Sequence, residues 1–229
     1  MQTVFPAPQP SILPICDSKL GFPVHRVYCV GRNYAAHAVE MGHDPDKEPP
    51  FFFQKNPDDL DPYGTFPYPS LSQDVHHEVE LGVMLKSGHG SIKPENALQH
   101  VYGYAVALDM TRRDLQGAAK EAGRPWEAGK AFERSAPVGR VVPAADCGFL
   151  RSGKISLAVN GGIRQDGDLN QMIWKVPEII AKLSDLFQLG AGDVILTGTP
   201  AGVGPVSKGD VLLATIEIEG LPELTVEIG

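Results

Sequence analysis

Cysteine is scarce in this sequence: Cys16, Cys29 and Cys147 are odd in number and far apart. That excludes a disulfide framework and a cysteine zinc site, and it fits a reducing compartment. Long apolar runs are missing as well, none approaching the ~20 residues that a bilayer-spanning helix needs. Basic charge is in deficit, with 20 Lys and Arg against 28 Asp and Glu and a net charge of −8. This balance excludes a nucleic-acid footprint or an anionic membrane surface, yet it leaves room for a local basic pocket that takes a small acid. The first eight residues, Met1 to Pro8, have neither a basic n-region nor an apolar h-region, so no secretory signal is expected. No internal repeat is evident. The expectation is a soluble, cytoplasmic protein of 229 residues with no nucleic-acid or membrane partner.

What is present is organised around His76-His77-Glu78-Val79-Glu80-Leu81-Gly82-Val83-Met84-Leu85. Polar residues lead into an apolar run, the pattern of a strand entering a core. Side chains alternate faces along a strand, so Glu78 and Glu80 point the same way. Two adjacent carboxylates are costly to bury unless a cation or a shared proton compensates them. A hard divalent ion, Mg²⁺ first, is one solution; a solvated strand edge is the other. Val101–Leu108 reads as a later strand that delivers Asp109 at its end, followed by a helix to about Ala122. Asp109 would be a third oxygen ligand, leaving octahedral positions for water or substrate.

The remaining pattern fills in around these strands. Five prolines within residues 1–23 exclude a regular helix there and predict an arm laid along the main body. Val27–Val30 is a strand ending in Gly31-Arg32-Asn33-Tyr34, from which a short helix starts with Asn33 as N-cap. On it His37 and Glu40 share a face, as an acid/base dyad beside a Gly/Pro-punctuated lid or as a surface pair. Phe51-Phe52-Phe53 is an aromatic strand. Residues 129–133 read as a loop carrying Lys130, near an anionic substrate or simply solvated. Ala136–Val142 is expected as a strand interrupted by Pro137, and Lys154–Asn160 as one arm of a hairpin turning at Gly161-Gly162. Residues 170–186 form the best helix, kinked or broken by Pro177. Thr197 to Gly204 is a Gly-rich loop without the Gly-Lys-Ser/Thr of a phosphate loop; its N–H groups and the Thr199 hydroxyl suit a carboxylate. Val211–Glu219 and Leu224–Ile228 close the chain as a hairpin. Strands outnumber helices without regular alternation, which predicts a β-rich α+β fold and excludes a Rossmann fold or TIM barrel.

Six motifs occur in one order: Gly31-Arg32-Asn33-Tyr34 with His37 and Glu40, Pro50-Phe51-Phe52-Phe53-Gln54-Lys55, His77-Glu78-Val79-Glu80, Gly103 through Asp114, Lys130, and Thr197 through Gly204. This set resembles the fumarylacetoacetate hydrolase family from Val27 to the C-terminus. Within the family, residues 44–50 and 111–126 are most similar to the bacterial fumarylpyruvate hydrolase group, and the acylpyruvase/oxaloacetate decarboxylase group shares the same catalytic motifs.

The resemblance implies a β-roll of mixed sheets, a single catalytic domain over residues 24–229 after the arm of residues 1–23, and a homodimer. It implies Mg²⁺ or Mn²⁺ on Glu78, Glu80 and Asp109, a lid dyad of His37 and Glu40, and an active-site Lys130. Substrate contacts would come from Gln116 and Thr199, with Arg32 beside the lid. One departure is Gly129-Lys130-Ala131-Phe132-Glu133, where relatives carry Ala-Lys-Gly-Phe-Asp. The implied reaction is hydrolysis of a C–C bond in a small β-diketo acid such as 3-fumarylpyruvate, in gentisate-type aromatic catabolism. The alternatives are oxaloacetate decarboxylase or acylpyruvase activity and, from another class, a non-catalytic keto-acid or metal binding protein.

Overall fold

The computed structural model describes residues 3–35 and 49–229; the dyad His37/Glu40 lies outside the described residues. Two sheets dominate. The six-stranded sheet runs Val142–Pro143, Val101–Leu108, Val79–Leu85, Val194–Leu196, Val27–Gly31, Phe51–Lys55, antiparallel except for the parallel pair Val194–Leu196 and Val27–Gly31. The five-stranded sheet runs Gly162–Asp168, Lys154–Val159, Val211–Ile216, Leu224–Ile228, Thr65–Phe66. Strands outnumber the short helices among the described residues, in the β-rich mixed-sheet architecture expected from the sequence. None of these helices is long and apolar enough to cross a membrane.

Every residue of Val79–Leu85 is buried, because both faces of this central strand are covered. Val79, Leu81, Val83 and Leu85 face the larger core, which reaches the five-stranded sheet through Ile155, Leu157, Ala214 and Val226. Met84 faces the other side, with Cys29, Ala105, Ala107 and Leu196. The proline-rich arm closes that second core. Its strands Ile12–Pro14 and Gly21–Pro23 form a two-stranded ribbon whose Leu13 and Phe22, with Ile15, are buried there. The terminal prolines need no ladder N–H at such an edge.

Three local expectations change and one is met. Ala136–Val142 is not one strand but two short ones, Ala136–Pro137 and Val142–Pro143, since each proline removes the N–H that a continuing ladder requires. Residues 170–186 divide into a 3₁₀ turn, Leu169–Gln171, and a helix, Val176–Leu186. Pro177 lies in the first turn of that helix, where its missing N–H costs nothing, so the expected break is present. Lys130 lies not in a loop but at the end of a short helix, Glu127–Lys130. The last hairpin's first strand stops at Ile216 rather than Glu219.

Candidate active site

The convergence of carboxylates follows from strand register. Val79 pairs with Leu108 across the antiparallel ladder, which sets Asp109, just past the end of one strand, opposite Glu78, just before the start of the other. The Asp109 N–H donates to the Glu78 carbonyl at 2.8 Å, locking that junction. Glu78 lies between the strands Val75–His77 and Val79–Leu85. One carboxylate oxygen from each of Glu78, Glu80 and Asp109 lies within 4.8 Å of the others, and all three residues are buried.

Three cations face these three carboxylates. Lys130, 2% exposed, donates to Asp109 Oδ2 at 2.6 Å, Thr111 Oγ1 at 2.7 Å and Glu78 Oε2 at 3.0 Å, so all three of its N–H bonds are used. Burial alone would lower its pKa, but Asp109 and Glu78 outweigh burial and hold it raised. Arg113, at the start of the helix Arg113–Glu121, donates to the other oxygen of Glu78 and, at 2.7 Å, to Gln116 Oε1. Lys55, at the end of the aromatic strand, lies 2.9 Å from both Asp109 Oδ1 and Ser135 Oγ and also donates to the Lys130 carbonyl.

Glu80 takes the weakest compensation. The Gly198 N–H donates to it at 2.7 Å, yet burial, with Asp109 and Glu78 alongside, pushes its carboxyl well above the usual range. Gly198 is required for that contact: its φ is +95° and a Cβ there would meet Asn33 Cβ at 2.7 Å. The helix that Asn33 is expected to cap lies outside the described residues; the described side-chain bonds of Asn33 go to the carbonyls of Thr197 and Trp174 and the N–H of Trp174. It thereby braces the Gly-rich loop from behind.

This donor set fits a divalent cation. Three hard carboxylate oxygens come within reach of one ion. Asp109 Oδ1, though close to Lys55, accepts no aligned hydrogen bond and is a buried oxygen in need of a partner. Glu80, buried beside Asp109 and Glu78, is short of positive charge in the same way, which an added cation relieves.

The triad forms the floor of a cleft whose walls include Arg32, Gln116, Lys120 and Thr199. Phe51, Phe53 and Trp126 make one side aromatic, with Phe51 edge-on to Trp126 at 5.2 Å between centroids. Thr199 does not stand alone in its loop: its hydroxyl accepts from Gln165 Nε2 at 2.7 Å, which leaves its own proton available to donate. Gln165 is fully buried and fixed at its other end, its Oε1 accepting from the Val79 N–H at 3.1 Å and meeting His77 Nδ1 at 3.0 Å. The Gly129 departure also has a structural counterpart, because a Cβ there would lie 2.9 Å from Gln116 Cβ. Glycine lets the Lys130 helix seat against Gln116.

Comparison with known proteins places this geometry. The family described as Fumarylacetoacetate (FAA) hydrolase C-terminal matches residues 26–228. Fumarylpyruvate hydrolase from Pseudomonas aeruginosa, crystallised with Mn²⁺ and pyruvate, superposes with a TM-score of 0.96 at 49% identity over 99% of both chains. The oxaloacetate tautomerase YcgM of Escherichia coli is 44% identical over 199 residues, 86% of this chain and 91% of its own length. A mitochondrial oxaloacetate decarboxylase of Dictyostelium discoideum is 42% identical over 189 residues, 82% of this chain and 86% of its own. The chain belongs to the fumarylacetoacetate hydrolase family.

As a member of that family the chain is an enzyme of hydrolase or lyase type with an acidic triad suited to a divalent metal. Of the residues singled out from the sequence, Glu78, Glu80, Asp109, Lys130, Gln116, Thr199 and Arg32 meet in one cleft. Reasoning on the sequence missed Lys55, Arg113, Lys120 and Gln165. Lys55 had a readable signal, a charge closing an aromatic strand. Gln165 had none, since its neighbours Arg164 and Asp166 are exposed and only the pairing of its strand turns it inward.

Lys55 supports a prediction. Lys55→Met leaves Asp109 buried with one cation fewer and should destabilise the metal-free protein by about 3 kcal/mol, the cost of breaking a buried ion pair. Urea unfolding reads this as a lower midpoint at unchanged slope. An unchanged midpoint would mean that Lys55 is merely accommodated.

Proposed function

We propose that this chain is a divalent-metal-dependent hydrolase of acylpyruvates, cleaving 3-fumarylpyruvate with water to fumarate and pyruvate. The observation that carries the proposal is the buried triad beside Lys130, in a chain 49% identical, over nearly its whole length, to a fumarylpyruvate hydrolase crystallised with Mn²⁺ and pyruvate. A divalent cation held by Glu78, Glu80 and Asp109 supplies Lewis acidity toward the 2-oxo acid end of the substrate. The chain's own residues do the rest. Gln116 and the Thr199 hydroxyl orient the substrate carboxylate, with Arg32 at the rim. His37, polarised by Glu40, takes a proton from a water whose oxygen bonds to the distal carbonyl carbon. The C–C bond between that carbon and the pyruvate methylene then breaks, its electron pair staying on the methylene carbon, which takes up a proton. Lys130 offsets the negative charge that develops on the substrate oxygens.

A second proposal is oxaloacetate chemistry, either tautomerisation or decarboxylation, favoured by the 44% and 42% identities to an oxaloacetate tautomerase and decarboxylase. One preparation assayed with fumarylpyruvate and oxaloacetate separates the two. The hydrolase reading requires kcat/KM to favour fumarylpyruvate; preference for oxaloacetate overturns it.

Removal of the metal is the companion prediction. Chelation should abolish turnover, and Mg²⁺ or Mn²⁺ should restore it. At a hundredfold excess over its Kd, a ligand binding only the folded state stabilises by about 2.7 kcal/mol, which for a chain of this size raises Tm by about 5–10 °C. Turnover indifferent to chelator, with no thermal shift, would remove the metal from the proposal.

A further inference from the structure

Beyond the cations paired with the triad, Lys120 lines the cleft. Arg113, Gln116 and Lys120 succeed one another at three- and four-residue spacing along one face of the helix Arg113–Glu121. Arg113 is bound to Glu78 and Gln116 to Arg113. Lys120 lies a turn further out, about 6 Å beyond Gln116 at the helical rise. It lines the cleft half-buried, makes no ion pair among the described residues, and has its ammonium 4.9 Å from the centre of the Trp126 ring.

We propose that Lys120 is a specificity-determining residue, selecting 2-oxo acids whose far end carries a second carboxylate over those with a neutral tail. This rests on the hydrolase reading and names its substrate class. Phe53 lies beside Lys130 and Trp126 beside Lys120, with the two ring centroids 5.9 Å apart, so an aromatic wall joins the triad to Lys120, which suits a flat conjugated chain. A substrate with its 2-oxo acid end over the triad extends along that wall, and its terminal anion reaches Lys120. Charge balance argues the same way. Lys120 makes no ion pair among the described residues and sits beside the cations Arg113 and Arg32 in a partly desolvated place, held there at a cost that a bound anion removes.

The electrostatics of Lys120 agree. Burial, then the neighbouring cations Arg113 and Arg32, bring its pKa down to about 8, against the opposing pull of Glu78 and with Lys130 a smaller cationic contribution. Lys120 is therefore charged at neutral pH and loses its charge as pH rises past about 8. The preference for the diacid should be full below that pH and fade above it.

The test uses two uncleavable seven-carbon acids that differ only at the far end, 2-oxopimelate and 2-oxoheptanoate, titrated calorimetrically into Mn²⁺-loaded protein. Wild type should bind the diacid about tenfold more tightly or better, the worth of one charge-assisted hydrogen bond. Lys120→Met should bring the two affinities within about twofold, and Lys120→Arg should keep most of the difference. In Lys120→Met the KM for fumarylpyruvate should rise by the factor lost for the diacid. Absence of any preference in wild type, or an undiminished preference in Lys120→Met, overturns the proposal. Because neither probe is hydrolysed, preference for the diacid without turnover of fumarylpyruvate retires the hydrolase reading alone and upholds the role of Lys120.

Discussion

Lys130→Met should lower turnover about 10²–10³-fold at saturating metal, the cost of removing one preorganised donor from a developing negative charge. The ammonium lies in the cleft floor, almost inaccessible to solvent, and its three donors are held by Glu78, Asp109 and Thr111. Methionine keeps the length and apolar stem of the side chain and its place over Phe53, so what is lost is charge and hydrogen bonding. A second consequence separates chemistry from structure. Without Lys130, Glu78 and Asp109 depend more heavily on a divalent cation for compensation, so the Tm difference between chelated and metal-loaded protein should be larger in the variant than in wild type. A kcat within threefold of wild type would remove Lys130 from the chemistry, and an unchanged Tm difference would mean that its ion pairs do not compete with metal.

How much of this site was legible in the sequence depends on the range of the interaction that makes each part. Glu78 and Glu80 could be read from a two-residue period, and Asp109 from its place at the end of an apolar run, because both are local consequences of strand geometry. Their meeting could not be read from local pattern, since it depends on the register Val79 to Leu108 across the ladder. Lys130 shows the limit more sharply. A lone lysine after Gly129 looks solvated, yet it is buried because Asp109 and Glu78 arrive from strands 21 and 52 residues away in the chain. Pro177 was legible as a break because proline acts on its own backbone. Gln165 was not, because its burial is decided by Thr199 and Pro200 in one loop and Val79 in a distant strand. The fold class and the family motifs were readable for a related reason: alternation, turns and ordered motifs all survive in one dimension.

The dyad decides between the two proposed chemistries. If His37 activates the attacking water, Glu40→Gln removes the group that polarises it and should reduce fumarylpyruvate cleavage about 10²–10⁴-fold, the range that a positioned general base contributes. Neither residue belongs to the triad, so metal binding, read as the metal-induced rise in Tm, should be unaffected. Loss of CO₂ from oxaloacetate breaks a bond without adding water, and tautomerisation only moves a proton. Neither reaction needs an activated water. A Glu40→Gln variant that loses fumarylpyruvate cleavage while still processing oxaloacetate would therefore assign the dyad to water activation and show that the triad with Lys130 suffices for the shared 2-oxo acid chemistry. Equal loss on both substrates would instead make His37 and Glu40 a proton-transfer pair common to all three reactions. In that case the hydrolase proposal would have to draw its water activation from another group in the cleft. Retention of both activities would exclude the dyad from catalysis altogether.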